Sequence, residues 1–194
     1  MRSKRLRHAA AILLLLALTT ARDSRAEGVA VPIALQTKLL VKFLNYDRNL
    51  RARANRSVRF LVLSRKGDID SARTAALFLA FMKDVPDVAG LPHEESTATF
   101  TNGAALAKRC KDDRIAVVYL TQGFSDQDIA GIAMGLSGTD VLTAGADAAF
   151  VPKRIVLGFD MVSGKPKLLF HLTQARLQHV NVSADVLRLM RIYR

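Results

Sequence analysis

Few side chains in this sequence stand at spacings that chemistry would need. Asp68 and Asp70 are close enough in sequence to hold a hard cation or to share acid–base work. Two carboxylates are too few ligands alone. Both fall in the first turn of a predicted helix, where the macrodipole favours acids, so capping is the better account. The turn before them, Ser64-Arg65-Lys66-Gly67-Asp68, lies where α/β folds cradle phosphates. It has one glycine, and neither G-x-G-x-x-G nor G-x-x-x-x-G-K-[ST] occurs in the chain. Asp68 would also repel a phosphate, which leaves an ordinary capped turn. His93-Glu94-Glu95 lacks the i+4 histidine of a zinc motif and reads as a solvated loop after Pro92. His171 and His179, at predicted strand and helix ends, read as structural histidines.

Cys110 is the sole cysteine, which excludes an internal disulfide framework and any multi-cysteine metal site. Arg109 and Lys111 flank it and could lower its pKa, making it a redox handle. A helical, half-buried thiol is the plainer reading. No G-x-S-x-G elbow occurs. The remaining conspicuous feature is basic: Arg48, Arg51, Arg53, Arg56, Arg59, Arg65 and Lys66 follow one another within twenty residues against the single acid Asp47. The run lacks the aromatic interleaving of single-strand nucleic-acid binders. It is either a solvated face or a docking surface for an acidic partner, in which case Arg51, Arg53 and Arg56 are the candidate contacts.

The elements that must position these residues follow from periodicity and punctuation. Pro32 suits a helix start, and Ile33, Gln36, Leu40, Phe43 and Leu44 continue a face that ends near Asp47 or Leu50. Val58–Leu63 is a buried-strand candidate. A helix capped by Asp68 or Asp70 runs to about Lys83, and Pro86, Gly90 and Pro92 mark a loop. Thr97–Phe100 is a short strand, followed by a helix from Asn102 through Cys110. Arg114–Thr121 is the strongest strand, and Ser125 with Asp128 resembles a capping box for a helix that Gly138 stops. Asp140–Ala144, Arg154–Met161 and Lys167–Leu172 are strands, the last two a hairpin across Ser163-Gly164-Lys165-Pro166. Thr173–Val180 and Ser183–Ile192 close the chain as helices. This alternation predicts one α/β domain: a mainly parallel sheet with helices on both faces and a C-terminal antiparallel hairpin.

Length and charge bound the rest. The chain has 194 residues, half of them apolar, with 29 Lys+Arg against 17 Asp+Glu and a formal charge of +12. Basic residues in Met1–His8, the unbroken apolar run Ala9–Leu18 and the small residues Ser24 and Ala26 make the three regions of a secretory signal. Ten helical residues reach only about 15 Å, half a bilayer's hydrocarbon core, and no later stretch approaches ~18 apolar residues. Cleavage is expected between Ala26 and Glu27, leaving a mature domain of residues 27–194 with no transmembrane span. The signal takes six basic residues and one acid with it, so the mature chain carries +7. Six of those units belong to the run between Asp47 and Lys66. The excess is local.

The C-terminal half then becomes specific. VVYLTQGFSDQDIAGIAMGLSGTDVLTAGAD and RIVLGFDMVSGKPKLLFHLTQARLQHVNVSADVLRLMRIY resemble the YfiR-like (HmsC-like) family of periplasmic proteins. The family's pattern is a "VLT" strand, a hairpin, an Asn-Leu-x-x-Ala-Arg helix and a Ser-x-x-x-Leu-x-Leu helix. Here these are His171-Leu172-Thr173-Gln174-Ala175-Arg176 and Ser183 through Leu189. Leu35–Arg53 is similar to the family's first helix. The resemblance implies a dimeric, non-enzymatic regulator that binds the periplasmic domain of an inner-membrane diguanylate cyclase, controlling cyclic-di-GMP and biofilm, with no cofactor. Some members switch through intramolecular disulfides; a lone Cys110 allows only an intermolecular one. His171 stands where Asn is usual, and His179 where Gly is common.

The expected function is thus an exported regulator that represses a membrane signalling receptor. The alternative from another class is a periplasmic solute-binding module, with the loops after Leu63, Thr121 and Ala144 lining a cleft. An enzyme is the least supported class, and an exported chain with local charge argues against nucleic acid.

Overall fold

A computed structural model describes residues 30–194; the expected signal, with its Ala26–Glu27 junction, lies outside the described residues. Pro32 opens α1 (Ile33–Leu44), which buries Gln36, Leu40, Phe43 and Leu44. The helix stops short of Asp47. There the Asp47 carboxylate accepts the Asn49 N–H at 3.1 Å, turning the chain into a short α2 (Leu50–Ala54) inside the basic run. β1 (Val58–Ser64), α3 (Ile69–Met82) and β2 (His93–Thr99) follow. β2 begins four residues earlier than predicted, so His93-Glu94-Glu95 belongs to an edge strand and not to a loop.

α4 (Gly103–Asp112) leads into β3 (Val117–Leu120), and α5 (Asp126–Leu136) into β4 (Leu142–Gly145). Asn102 and Ser125 cap the two helices, the latter in a full capping box with Asp128. A 3₁₀ turn, Ala148–Lys153, precedes the hairpin β5 (Leu157–Val162) and β6 (Lys165–His171). The hairpin turn is only Ser163-Gly164, both left-handed at φ 50° and 74°, the geometry that matches strand twist. α6 (Leu172–Leu177) and α7 (Ala184–Arg188) are shorter than predicted, and the chain ends as β7 (Arg191–Tyr193). The difference lies in a change of period: Met190 is buried and Ile192 half-buried while Arg191 is exposed, an alternation that suits a strand beside β6.

The sheet order is β2-β1-β3-β4-β5-β6-β7, parallel from β2 through β5, antiparallel at β5–β6 and parallel again at β6–β7. The expected mainly parallel α/β sheet with its antiparallel hairpin is therefore present. Strand residues alternate between two cores. Phe60, Val62, Val117 and Tyr119 pack with α1 and α3, while Leu61, Leu63, Val118 and Leu120 pack with α4 and α5. Gly103 at the start of α4 lies against α5 so closely that a Cβ on Gly135 would sit 2.5 Å from its carbonyl oxygen. Among the described residues no helix is long and apolar enough to cross a membrane.

Candidate functional site

The strand order reverses between β1 and β3, and their carboxyl ends form the crevice where such sheets hold ligands. Here the crevice is crossed by the protein's own bonds. The Arg65 N–H donates to Ser71 Oγ at 2.8 Å, Ser71 meets Thr121 Oγ1 at 2.6 Å, and Thr121 donates to the Leu63 carbonyl at 3.2 Å. Above this chain the Arg65 guanidinium donates to the Gly123 carbonyl at 2.7 Å and lies 3.8 Å from Asp68. Gln122 donates to the Asp70 carbonyl. Asp68 accepts the Ser71 N–H at 2.9 Å as the cap of α3, and Asp70 pairs with Arg73. No group of three metal-ligating side chains occurs among the described residues. A cavity of about 520 Å³ beside the crevice is lined by Gln36, Thr74, Gln122, Asp147 and Asp160. Gln36 there is fully engaged, donating to the Val31 and Ala146 carbonyls and accepting from Tyr119.

The basic run does not form one surface. β1 divides it, with Arg48, Arg51, Arg53 and Arg56 before the strand and Arg65 and Lys66 after it. Arg51 and Arg56 are exposed; Arg51 donates to the Ala89 carbonyl at 3.0 Å. Arg53 departs from the expected docking role. Its side chain is 2% exposed and pairs at 2.8 Å with Asp47, whose side chain is fully buried. Burial lowers the Arg53 pKa, against the opposing charges of Asp47 and Asp140. Asp47 also accepts the Asn181 N–H, and Arg53 and Asn49 both donate to the His179 carbonyl. The pair therefore fastens the α1–α2 turn to the segment after α6. Sequence reasoning missed this pairing, although Asp47 is the lone acid among the arginines.

The histidines and the thiol find structural partners. His93 Nδ1 lies 2.5 Å from Glu95 and its Nε2 lies 2.8 Å from the Val85 carbonyl. Both partners only accept, so together they favour the protonated ring. Burial pulls its pKa down, but the Val85 and Glu95 hydrogen bonds and the charges of Glu95 and Asp87 outweigh it, and the net shift is upward. His171 caps α6: its Nδ1 accepts the Gln174 N–H at 3.2 Å, the acceptor's task that an Asn would perform. Burial and then the charge of Arg154 lower its pKa, which favours the neutral ring that this cap uses. His179, left-handed at φ 51°, bonds Asp140 at 2.7 Å. Cys110 is 3% exposed, and burial pushes its thiol up to about 12, with Asp113 adding to the shift and Arg109 opposing it. It is a buried thiol, not a thiolate; the flanking cations do not activate it.

No curated protein matches the sequence. Among solved structures, a conserved domain protein from Vibrio cholerae O1 biovar El Tor aligns at a TM-score of 0.55 with 15% identity, covering 84% of this chain and 60% of that one. The ABC domain in complex with L-Trp from Streptococcus pneumoniae aligns at 0.55 with 11% identity, covering 84% and 62%. A substrate binding protein with adhesive properties from Clostridium difficile, in its ligand-free, open form, aligns at 0.51 with 9% identity, covering 75% and 57%. The likeness is one of fold, and the chain spans less than two thirds of the length of each. The YfiR/HmsC-like family profile, by contrast, matches residues 34–191, from the first turn of α1 into β7. A match of that length covers most of the described fold; the chain belongs to the YfiR/HmsC-like family, a periplasmic, regulator-type family.

Proposed function

We propose that this chain is an exported periplasmic regulator, not an enzyme, that represses an inner-membrane diguanylate cyclase or related signalling receptor by binding its periplasmic domain. The observation that carries the reading is the family match over residues 34–191. The mature chain begins at Glu27 and acts as a homodimer. Repression is a population shift: the regulator binds the receptor's inactive state more tightly, and a ratio of about 10⁴ between the two affinities moves it from mostly active to mostly inactive.

The docking residues are Arg51 and Arg56, which are exposed at the amino end of β1. Arg53 serves them indirectly by holding α2 in place through Asp47. Reversing both exposed residues to Glu slows association and flattens its salt dependence. The Arg65 bridge across the crevice argues against the solute-binding alternative at the carboxyl ends of the strands. The deciding experiment is capture of the tagged mature protein from the periplasm, together with cyclic-di-GMP measurement in a deletion strain. Enrichment of a membrane cyclase with raised cyclic-di-GMP is the expected result. Capture of no membrane sensor, with unchanged cyclic-di-GMP, refutes the reading.

A further inference from the structure

We propose that the amino ends of β3 and β4 form a binding site for a small anion, a ligand presenting phosphate or carboxylate oxygens. This site does not depend on the regulatory reading above. It lies at the opposite end of the sheet from the bridged crevice, in a cavity of about 620 Å³. That volume falls within the range of roughly 300–1,000 Å³ typical of small-molecule sites. Arg53, Lys108, Lys111 and Arg114 line it with a single carboxylate, Asp140, and Cys110, Ile115 and Val141 supply apolar wall.

Three observations favour an anion. First, Arg53 is buried with two donors, Nε and Nη1, that have no hydrogen-bond partner, and such orphaned donors are costly unless a ligand satisfies them. Second, among the described residues neither Lys111 nor Arg114 has a carboxylate within 4.0 Å, whereas Lys108 is paired with Asp112 and Asp140 with His179. Third, the negative helix ends nearby are already capped. The Arg109, Lys111 and Cys110 carbonyls accept the N–H groups of Asp113, Arg114 and Ile115, and Thr139 donates to Leu136. Those carbonyls are thus already engaged in hydrogen bonds. Arg114, left-handed at φ 51°, stands past the end of α4, outside the turn whose dipole alone would explain it.

The test is calorimetric titration of the mature chain with pyrophosphate and with citrate at constant ionic strength. The comparison is the double variant Lys111→Ala/Arg114→Ala, which changes two exposed side chains and leaves the core intact. Saturable binding of either probe, weakened at least tenfold in the double variant, is the expected result, and which probe binds distinguishes a phosphate from a carboxylate ligand. A control, Lys66→Ala/Lys165→Ala, removes equal charge elsewhere on the surface. Absence of saturable binding, unchanged binding in the cavity variant, or equal weakening in the control overturns the proposal.

Discussion

Asp47 and Arg53 give the sharpest test of how the basic segment is built. Removing one member of a buried ion pair leaves the other uncompensated, a loss of about 3–5 kcal/mol. The two truncations are not equivalent. After Arg53→Ala the Asp47 Oδ1 keeps the Asn49 and Asn181 N–H donors, both at 3.1 Å; its Oδ2 loses the guanidinium, but two orphaned guanidinium donors disappear. The cost belongs at the lower end, about 3 kcal/mol. After Asp47→Ala the guanidinium loses its counter-charge and those two backbone donors lose their acceptor, each adding about 0.5–1 kcal/mol. Asp47→Ala is then the more damaging change, at about 4–7 kcal/mol. The double variant removes both charges and costs less than the two singles combined, with a coupling of at least about 2 kcal/mol.

Urea unfolding followed by circular dichroism reads this directly, and an unchanged m-value would show that the denatured state is not the source. For a domain of this size the Arg53→Ala loss corresponds to a fall in Tm of about 6–12 °C. An Arg53→Ala protein within about 0.5 kcal/mol of the parent would place that side chain in solvent. A greater loss for Arg53→Ala than for Asp47→Ala would equally refute the asymmetry, since the Asp47 hydrogen bonds predict the reverse order.

Other perturbations have equally definite outcomes. The raised pKa of His93 means that its contribution is complete below its unfolded pKa of about 6.5 and is lost as pH rises through the folded value. Urea midpoints of the parent relative to His93→Gln should therefore favour the parent more at pH 5.5 than at pH 8.5. His171 runs the opposite way: with its pKa lowered, its contribution holds above the unfolded value and is lost as pH falls, so His171→Asn should keep the α6 cap and narrow the acid loss. Gly135→Ala drives a methyl into the Gly103 backbone and should cost about 1–3 kcal/mol despite the gain in helix propensity, measured by the same unfolding assay. Cys110 should resist a thiol reagent at pH 8 in the native protein and react promptly in urea; fast native labelling would contradict its burial.

Local signals carried most of the fold because they are local in cause. The Ser125–Asp128 box, the Asn102 and Asp68 caps and the apolar β1 and β3 each depend on neighbours a few residues away. The misses involve competition between periods or partners. Met190 to Tyr193 follows a helix whose pattern it prolongs in sequence until β6 offers it an edge. His93-Glu94-Glu95 reads as polar loop because an edge strand of a parallel sheet can leave every second side chain in water. Asp47 was legible as an acid among arginines, but its bond to Asn181 spans more than a hundred residues and has no local signature. His171 shows the converse: the departure from Asn leaves the cap standing, because a neutral imidazole can accept the same N–H.

The basic run illustrates why charge counted along a chain misleads. β1 separates its two halves by seven residues, about 23 Å at strand rise, against a screening length of about 8 Å at physiological salt. Arg65 and Lys66 cannot share a partner's field with Arg51 and Arg56. What the amino-end residues gain instead comes from topology. β1 and β3 pair in parallel, Phe60 opposite Val117, so the end of α4 that leads into β3 lies beside the segment that leads into β1. Lys108, Lys111 and Arg114 thus join Arg53 around one cavity, though some fifty residues separate them in sequence. In a parallel sheet every helix delivers its C-terminus to the same end, and basic residues favoured by helix dipoles collect there. That rule accounts for the presence of Lys108 and Lys111. It does not account for a buried guanidinium with two idle donors, and that residue is what makes this end of the sheet a site and not merely a charged rim.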